Sequence, residues 1–133
     1  MKVFALRLKP NQDLKQSLKN FAIEQDINSG FILTAIGSLK QATIRFANQS
    51  ISKVLINKFE IISLNGTLAT EGIHLHIAIA DQEGKTLGGH LDDGCIIYTT
   101  VEIVIGVSEE FNFTRTNDQQ TGYKELEIIP KSS

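Results

Sequence analysis

Apolar and polar residues alternate along most of this chain, a pattern typical of strands that bury one face. Segments with this period, or with unbroken β-branched runs, predict strands over residues 2–9, 31–36, 42–47, 53–64, 67–70, 73–79, 95–107, 111–114 and 123–129. Residues 12–26 differ, because their apolar side chains recur at helical spacing. Asn11 or Asp13 can cap the start of this helix, and Gly30 is expected to end it in the left-handed conformation.

Glycines inside the strand-rich regions predict where the chain turns or bends. Asn65-Gly66 predicts a tight hairpin turn between two strands. Gly37 interrupts an apolar strand pattern, which indicates a bulge or the close approach of another backbone. Many strands joined by hairpin-type turns, together with one clear helix, predict an α+β domain dominated by antiparallel pairing.

Length and composition limit the class of protein. A chain of 133 residues fits one compact domain, 1–133, with a core over 2–129 and a short tail over 130–133. The net charge of −2 gives no general attraction to nucleic acid. The single cysteine, Cys95, excludes an intrachain disulfide and fits a reducing compartment. No signal peptide and no apolar run long enough to cross a membrane is present, so we expect a cytoplasmic protein.

All three histidines lie within residues 72–91, at His74, His76 and His90. The spacing of His74 and His76 points both imidazoles to the same face of a strand. Asp81–Gly84 supplies turn chemistry, after which a returning strand is expected to bring His90 to the other two. Imidazole is the commonest protein ligand for zinc and related ions, so this arrangement predicts an open three-histidine metal site. The alternative is that each histidine is exposed or hydrogen-bonded in a wet pocket.

Other polar residues are candidates for chemistry at such a site. Glu60, Glu102 and Arg7 interrupt apolar strand runs and are candidate catalytic acid–base or substrate-orienting groups. The alternative for Glu60 and Arg7 is a structural ion pair or exposure at a strand edge. Cys95 could be a fourth metal ligand, although its apolar neighbours favour a small core residue. Ser38 has neither an adjacent histidine nor an elbow motif, so it gives little support for nucleophilic catalysis.

Several short motifs occur in a fixed order from about residue 7 to residue 105. They are Arg7-Leu8, Ala35-Ile36-Gly37-Ser38-Leu39, the segment Phe59–Leu68, Gly72-x-His74-x-His76, Asp81-x-x-Gly84, Gly88-Gly89-His90-Leu91 and Thr100-x-Glu102. This ordered set resembles the prokaryotic stand-alone PPC domain, the plants and prokaryotes conserved domain that also occurs in AT-hook proteins. The resemblance covers most of the chain.

The resemblance implies a mainly antiparallel sheet of about seven strands with flanking helices, usually assembled as a homotrimer. It also implies zinc or a similar divalent metal at His74, His76 and His90. Plant members join the domain to an AT-hook that enters the minor groove of DNA, but this sequence contains no Arg-Gly-Arg-Pro run. DNA association therefore rests on relatedness alone. In the plant proteins the domain serves largely for assembly and partner contacts, so the resemblance implies self-association more directly than DNA binding.

Two functions are compatible with these features. The first is an oligomeric, metal-containing domain that associates with DNA or regulates through partners. The second is a small zinc-dependent lyase or hydrolase, because the fold type also resembles acetolactate decarboxylase, which uses a His-x-His pair and a later histidine at a different spacing. An enzyme predicts a pocket in which an arginine and a carboxylate converge on the histidines, whereas a binding module does not require one.

Overall fold

The computed structural model describes residues 1–132. The elements follow one another as β1 (Lys2–Leu8), α1 (Leu14–Glu24), β2 (Gly30–Arg45), β3 (Lys53–Ala69), β4 (Gly72–Ala80), β5 (Thr86–Leu91), β6 (Ile96–Val107), β7 (Phe111–Asn117) and β8 (Lys124–Pro130). The prediction of a mostly antiparallel fold in a single compact domain is confirmed. The expected sheet of about seven strands is wrong in detail, because six strands form one sheet and β7 and β8 form a separate hairpin.

Helices contribute less to the fold than expected. Within residues 1–132, α1 is the only helix, so the flanking helices implied by the resemblance are scarcely present. It has 11 residues, and the described part of the chain contains no helix long and apolar enough to cross a membrane. The last strand extends to Pro130, a residue that the sequence placed in the tail.

Asp13 begins α1 and also joins it to the sheet. Its Oδ1 accepts a hydrogen bond from the Gln16 backbone N–H at 3.0 Å, and its Oδ2 accepts one from Gly94 N–H at 2.7 Å. The predicted C-cap is wrong, because Asp26 adopts the left-handed conformation, with φ of 51°. Gly30 instead opens β2, where a Cβ atom would lie only 2.8 Å from Ile27 Cγ2. The glycine therefore serves packing rather than helix termination.

The six-stranded sheet has the order β1-β6-β2-β3-β4-β5. The far end of β2 also pairs with β5, through Ile44 opposite Leu91 and Arg45 opposite His90. This second pairing closes β2, β3, β4 and β5 into a small curled barrel. Apolar side chains from α1 and from the inner face of the strands fill one continuous core. This curl brings the end of β2 beside β5, one of the two strands that carry the histidines.

β2 is one bent strand where the sequence predicted two. Residues 31–36 and 42–47 belong mostly to the same strand, and its register shifts around Leu39. Gly37 lies just before this irregularity, and a Cβ atom there would overlap the carbonyl oxygen of Thr100 on β6. The bulge and close backbone approach predicted from this glycine are confirmed.

The hairpin turn predicted at Asn65-Gly66 is wrong. β3 continues to Ala69, and two residues, 70 and 71, connect it to β4. Asn65 and Gly66 lie inside the ladder, opposite His76 and Leu75 respectively. A Cβ atom at Gly66 would overlap a backbone carbonyl of β4, so this glycine permits the close approach of two paired strands rather than a turn.

Candidate metal centre

β4 presents two histidines on its outer surface. His74 and His76 are exposed, whereas Leu75 and Ile77, which alternate with them, are buried in the core. The apolar residues fix the orientation of the strand, because turning it over would expose both of them. The prediction that His74 and His76 share one face is confirmed.

β5 returns antiparallel to β4 and places His90 directly opposite His76. The three ring centroids are 5.1 to 6.0 Å apart. One nitrogen from each of His74, His76 and His90 lies within 4.8 Å of the other two. The turn at Asp81 fixes this register, because its carboxylate accepts hydrogen bonds from the backbone N–H groups of Glu83 and Lys85. The structure therefore brings together all three predicted ligands.

The protonation of His74 and His90 suits metal binding. Burial, followed by the nearby Arg115 guanidinium, lowers the pKa of His74 below its usual value of 6.5. Burial, followed by Arg45, likewise lowers the pKa of His90. A lowered pKa keeps an imidazole neutral at pH 7 and at somewhat more acidic pH. Only the neutral ring can donate its nitrogen lone pair to a metal.

One atom of the cluster lacks a partner. Nδ1 of His90 is buried and has no hydrogen-bond partner among the described residues. On the other side of the same ring, Nε2 lies 3.8 Å from a carboxylate oxygen of Asp92. Metal-binding histidines usually have a carboxylate or carbonyl near the nitrogen that does not bind the ion. The surroundings of His90 therefore fit coordination through Nδ1.

Two arginines beside the cluster were not singled out from the sequence. Arg45 is the cross-strand partner of His90, and Arg115 on β7 donates a hydrogen bond to Thr67 at 3.2 Å. Thr67 is in turn the cross-strand partner of His74. Both arginines interrupt strand segments, as Arg7 does, but nothing in their local sequence distinguishes them from ordinary exposed residues.

The candidate catalytic residues lie elsewhere. Arg7 pairs in register with Glu102, and its Nε donates to Thr100 Oγ1 at 3.0 Å. Glu60 pairs with Ser38 and lies five residues before Asn65 on β3, roughly 16 Å along the strand. All three are exposed, and they line grooves that contain no histidine. Within residues 1–132, Glu60 and Arg7 form no ion pair with each other.

Cys95 occupies the core, as its apolar neighbours predicted. It is fully buried, its thiol donates to the Thr43 carbonyl at 3.4 Å, and its sulfur accepts from the Thr43 N–H at 3.3 Å. Burial raises the pKa of Cys95 to about 11. The thiol is therefore protonated at neutral pH and is not suited to be a fourth ligand.

We expect Cys95 to resist alkylation by iodoacetamide in the folded protein at pH 8 and to react readily after unfolding. The raised pKa has a second consequence, because the folded state keeps a proton that the unfolded thiol releases near pH 9. This contribution to stability is complete below pH 9 and is lost as the pH rises toward about 11. Mass spectrometry of the native and the denatured protein measures the labelling. Rapid labelling of the native state would contradict the core assignment.

The fold and the histidine cluster together define an antiparallel α+β domain with a candidate metal centre. The model of the Plants and Prokaryotes Conserved (PCC) domain matches residues 1–109. The chain belongs to this family, which confirms the resemblance predicted from its ordered motifs. The match ends before β7, so the hairpin that carries Arg115 lies beyond the matched region.

A curated relative contains a similar segment within a much longer chain. The chain is 52% identical over 128 residues to the bifunctional protein GlmU of Synechococcus sp. strain JA-3-3Ab. That alignment covers 96% of this chain but only 21% of the length of GlmU. The chain therefore spans about a fifth of this curated relative.

Solved structures share the fold over nearly the whole chain. A hypothetical protein from Salmonella enterica has a TM-score of 0.96 at 39% identity, covering 98% of this chain and 95% of that one. A candidate DNA-binding protein from Bacteroides thetaiotaomicron has a TM-score of 0.83 at 25% identity, covering 94% and 91%. A metal-containing protein from Archaeoglobus fulgidus has a TM-score of 0.79 at 29% identity, covering 94% and 92%.

Proposed function

We propose that this domain binds one zinc or similar divalent ion per chain through His74, His76 and His90, and acts as a self-associating, metal-containing domain. The observation that carries the proposal is the gathering of three imidazole nitrogens within 4.8 Å on two adjacent strands. The similarity to a metal-containing protein of Archaeoglobus fulgidus supports it. When bound, zinc with three neutral ligands keeps its positive charge and an open position for polarising a carbonyl or a water.

The geometry is compatible with such an ion. Zinc–nitrogen bonds of about 2.0–2.1 Å imply nitrogen atoms roughly 3.4 Å apart in a tetrahedral site. The present separations, up to 4.8 Å, are somewhat wider, and His74 and His76 are exposed side chains that can rotate inward. Asp92 would orient His90 through Nε2, leaving the unpartnered Nδ1 free to face the ion.

Elemental analysis tests the proposal directly. Protein purified without a metal-affinity tag should contain close to one zinc or similar ion per chain, and His90→Ala should contain little. If wild-type protein holds no metal even after incubation with zinc and dialysis, the proposed site is wrong. The histidines would then have a structural role only.

Self-association as a homotrimer is the second part of the proposal. Arg7, Glu102 and Ile36 form one cross-strand row on the outward face of the sheet, from β1 through β6 to β2. Ile36 and Ile62 are each 57% exposed, although they lie in the middle of long strands. Large apolar side chains exposed on a sheet face are typical of a surface that contacts another subunit.

We expect Ile36→Lys to weaken or abolish this association. A lysine in an apolar interface must lose its hydration shell, so the substitution should shift the equilibrium strongly toward the monomer. Light scattering after gel filtration should give three times the chain mass of 14.7 kDa for wild type and a lower mass for the variant. Ile51→Lys is the matched control, because Ile51 is 80% exposed in the loop before β3. Equal masses for both variants would contradict the assignment of the interface.

A zinc-dependent lyase- or hydrolase-like enzyme is the alternative function, and the two arginines beside the histidines favour it. Such an enzyme needs a cation to orient its substrate, and Arg45 and Arg115 occupy suitable positions. Glu60, Glu102 and Arg7 stay candidates for catalysis only if another subunit brings them to a histidine cluster. Turnover that is lost in His76→Ala would identify the enzyme.

DNA association through partners is a further candidate, supported by the similarity to the candidate DNA-binding protein of Bacteroides thetaiotaomicron. The net charge of −2 gives it no electrostatic support. Fluorescence anisotropy with labelled duplex DNA at two salt concentrations tests this candidate, because binding through phosphates weakens steeply as salt increases.

A further inference from the structure

Two guanidinium groups border the histidine cluster without a carboxylate partner. Arg45 lies opposite His90, and its Nη1 donates to the Gln49 carbonyl at 3.2 Å. Arg115 donates to the Thr67 hydroxyl. Within residues 1–132, neither arginine has a carboxylate oxygen within 4.0 Å. Both positive charges are therefore available to a ligand.

His74, His90, Arg45 and Arg115 line one groove. Carboxylates near this groove are engaged elsewhere or lie more than 4.0 Å from the guanidinium groups. Asp92 contacts Ser52, Lys15 and His90. Glu71 lines the groove and accepts a hydrogen bond from a threonine hydroxyl on β7. These carboxylates therefore leave the positive charge of the two arginines unpaired.

A bound metal would increase this imbalance of charge. Three neutral imidazoles contribute no negative charge, so a divalent ion keeps its charge beside two guanidinium groups. Asp92, Glu71 and Glu125 offset part of this charge from a distance, but none of them pairs with either arginine, so an anion between the metal and the arginines would be stabilised. An anion in the open coordination position would neutralise the metal and pair with the arginines at the same time.

We propose that the groove binds a small oxyanion, a carboxylate or a phosphate, that completes the coordination of the metal and accepts hydrogen bonds from Arg45 and Arg115. This inference rests on the proposed metal site. The planar fork of arginine matches the two oxygens of either group. The groove has a volume of about 850 Å³ and is also lined by Tyr123 and Lys124, a size suited to a metabolite.

The C-terminal hairpin has a specific part in this arrangement. It supplies Arg115 from β7 and Lys124 from the start of β8, beyond the residues that match the family. The histidines and Arg45 lie within the matched region. Arg115 thus comes from a different segment than the three histidines, which allows its role in anion binding to be tested separately from metal binding.

Cobalt serves as a spectroscopic probe for both sites. Protein loaded with Co²⁺ should show visible absorption from the coordinated ion, and titration with malonate or inorganic phosphate should change that spectrum in a saturable way. Arg45→Gln and Arg115→Gln should each weaken the apparent affinity for the anion about tenfold or more, because each removes a charge-assisted hydrogen bond. Lys19→Gln, on the exposed side of α1, also removes one positive charge; it is the control and should leave the affinity unchanged.

The outcomes separate the two proposals. If wild-type protein shows no bound cobalt, the metal site itself is wrong. If cobalt binds but neither anion changes its spectrum, or both arginine variants bind the anion as wild type does, the anion site is wrong while the metal site stands. A response to malonate alone indicates a carboxylate ligand, and a response to phosphate alone indicates a phosphorylated one. The cobalt spectrum without anion shows that each variant has kept its folded metal site.

Discussion

His76→Ala is expected to remove most of the bound metal while the domain stays folded. His76 lies at the centre of the proposed site, between Asn65 on β3 and His90 on β5. Loss of one of three ligands should weaken metal binding by more than the roughly 10–100-fold that follows loss of a supporting residue. Because the imidazole is exposed, its removal leaves no cavity in the core. Elemental analysis and thermal unfolding measure the two parts of this prediction.

Glu60→Gln is a suitable control for this experiment. Glu60 is also an exposed strand residue, but it lies on another part of β3 and lines a groove without histidines. Its substitution should change neither the metal content nor the melting temperature of the metal-loaded protein. If His76→Ala retains wild-type metal content, the assignment of the three histidines as ligands is wrong.

The other large effect is expected for Gly66→Ala. Gly66 has φ of 140°, and a Cβ atom there would overlap the backbone carbonyl oxygen of His74 on β4. The unfavourable backbone conformation costs about 1–2 kcal/mol, and forcing the strands apart costs about 1–3 kcal/mol more. The sum, about 2–5 kcal/mol, should lower the melting temperature by roughly 6–25 °C. Thermal unfolding followed by circular dichroism measures the change.

Gly84→Ala separates the two causes of this destabilisation. Gly84 also has positive φ, 78°, but a Cβ atom there would meet nothing within 4 Å. Only the cost of the backbone conformation applies, so we expect a loss of about 1 kcal/mol. Equal losses of stability in the two variants would mean that the close approach of β4 to β3 does not require glycine at position 66.

The histidine site shows how far local rules reach. The two-residue spacing placed His74 and His76 on one face, and the turn at Asp81–Gly84 returned the chain with His90. The shared face and the returning strand both depend on geometry within about twenty residues, so the sequence is enough to predict them.

Mistaken predictions came from residues whose role depends on a distant partner. Asn65-Gly66 has the composition of a hairpin turn, but Gly66 lies inside β3, where the backbone of β4 comes too close for a side chain. Gly30 was predicted to end the helix, but Leu68 on β3, together with the nearby Ile27, leaves no space for a side chain there. Glycine suits both a turn or cap conformation and a position with no space for a side chain, so composition alone cannot distinguish these two roles.

The sequence by itself determined the antiparallel character of the fold, the capped helix and the shared face of His74 and His76, because strand period, turn chemistry and capping act between near neighbours in the chain. Only the tertiary structure placed Arg45 and Arg115 beside the histidines. Arg45 lies there because β2 bends and pairs with β5. Arg115 lies there because the C-terminal hairpin packs near Thr67. Pairings between residues so far apart depend on how the whole sheet curls and closes, which no local pattern specifies.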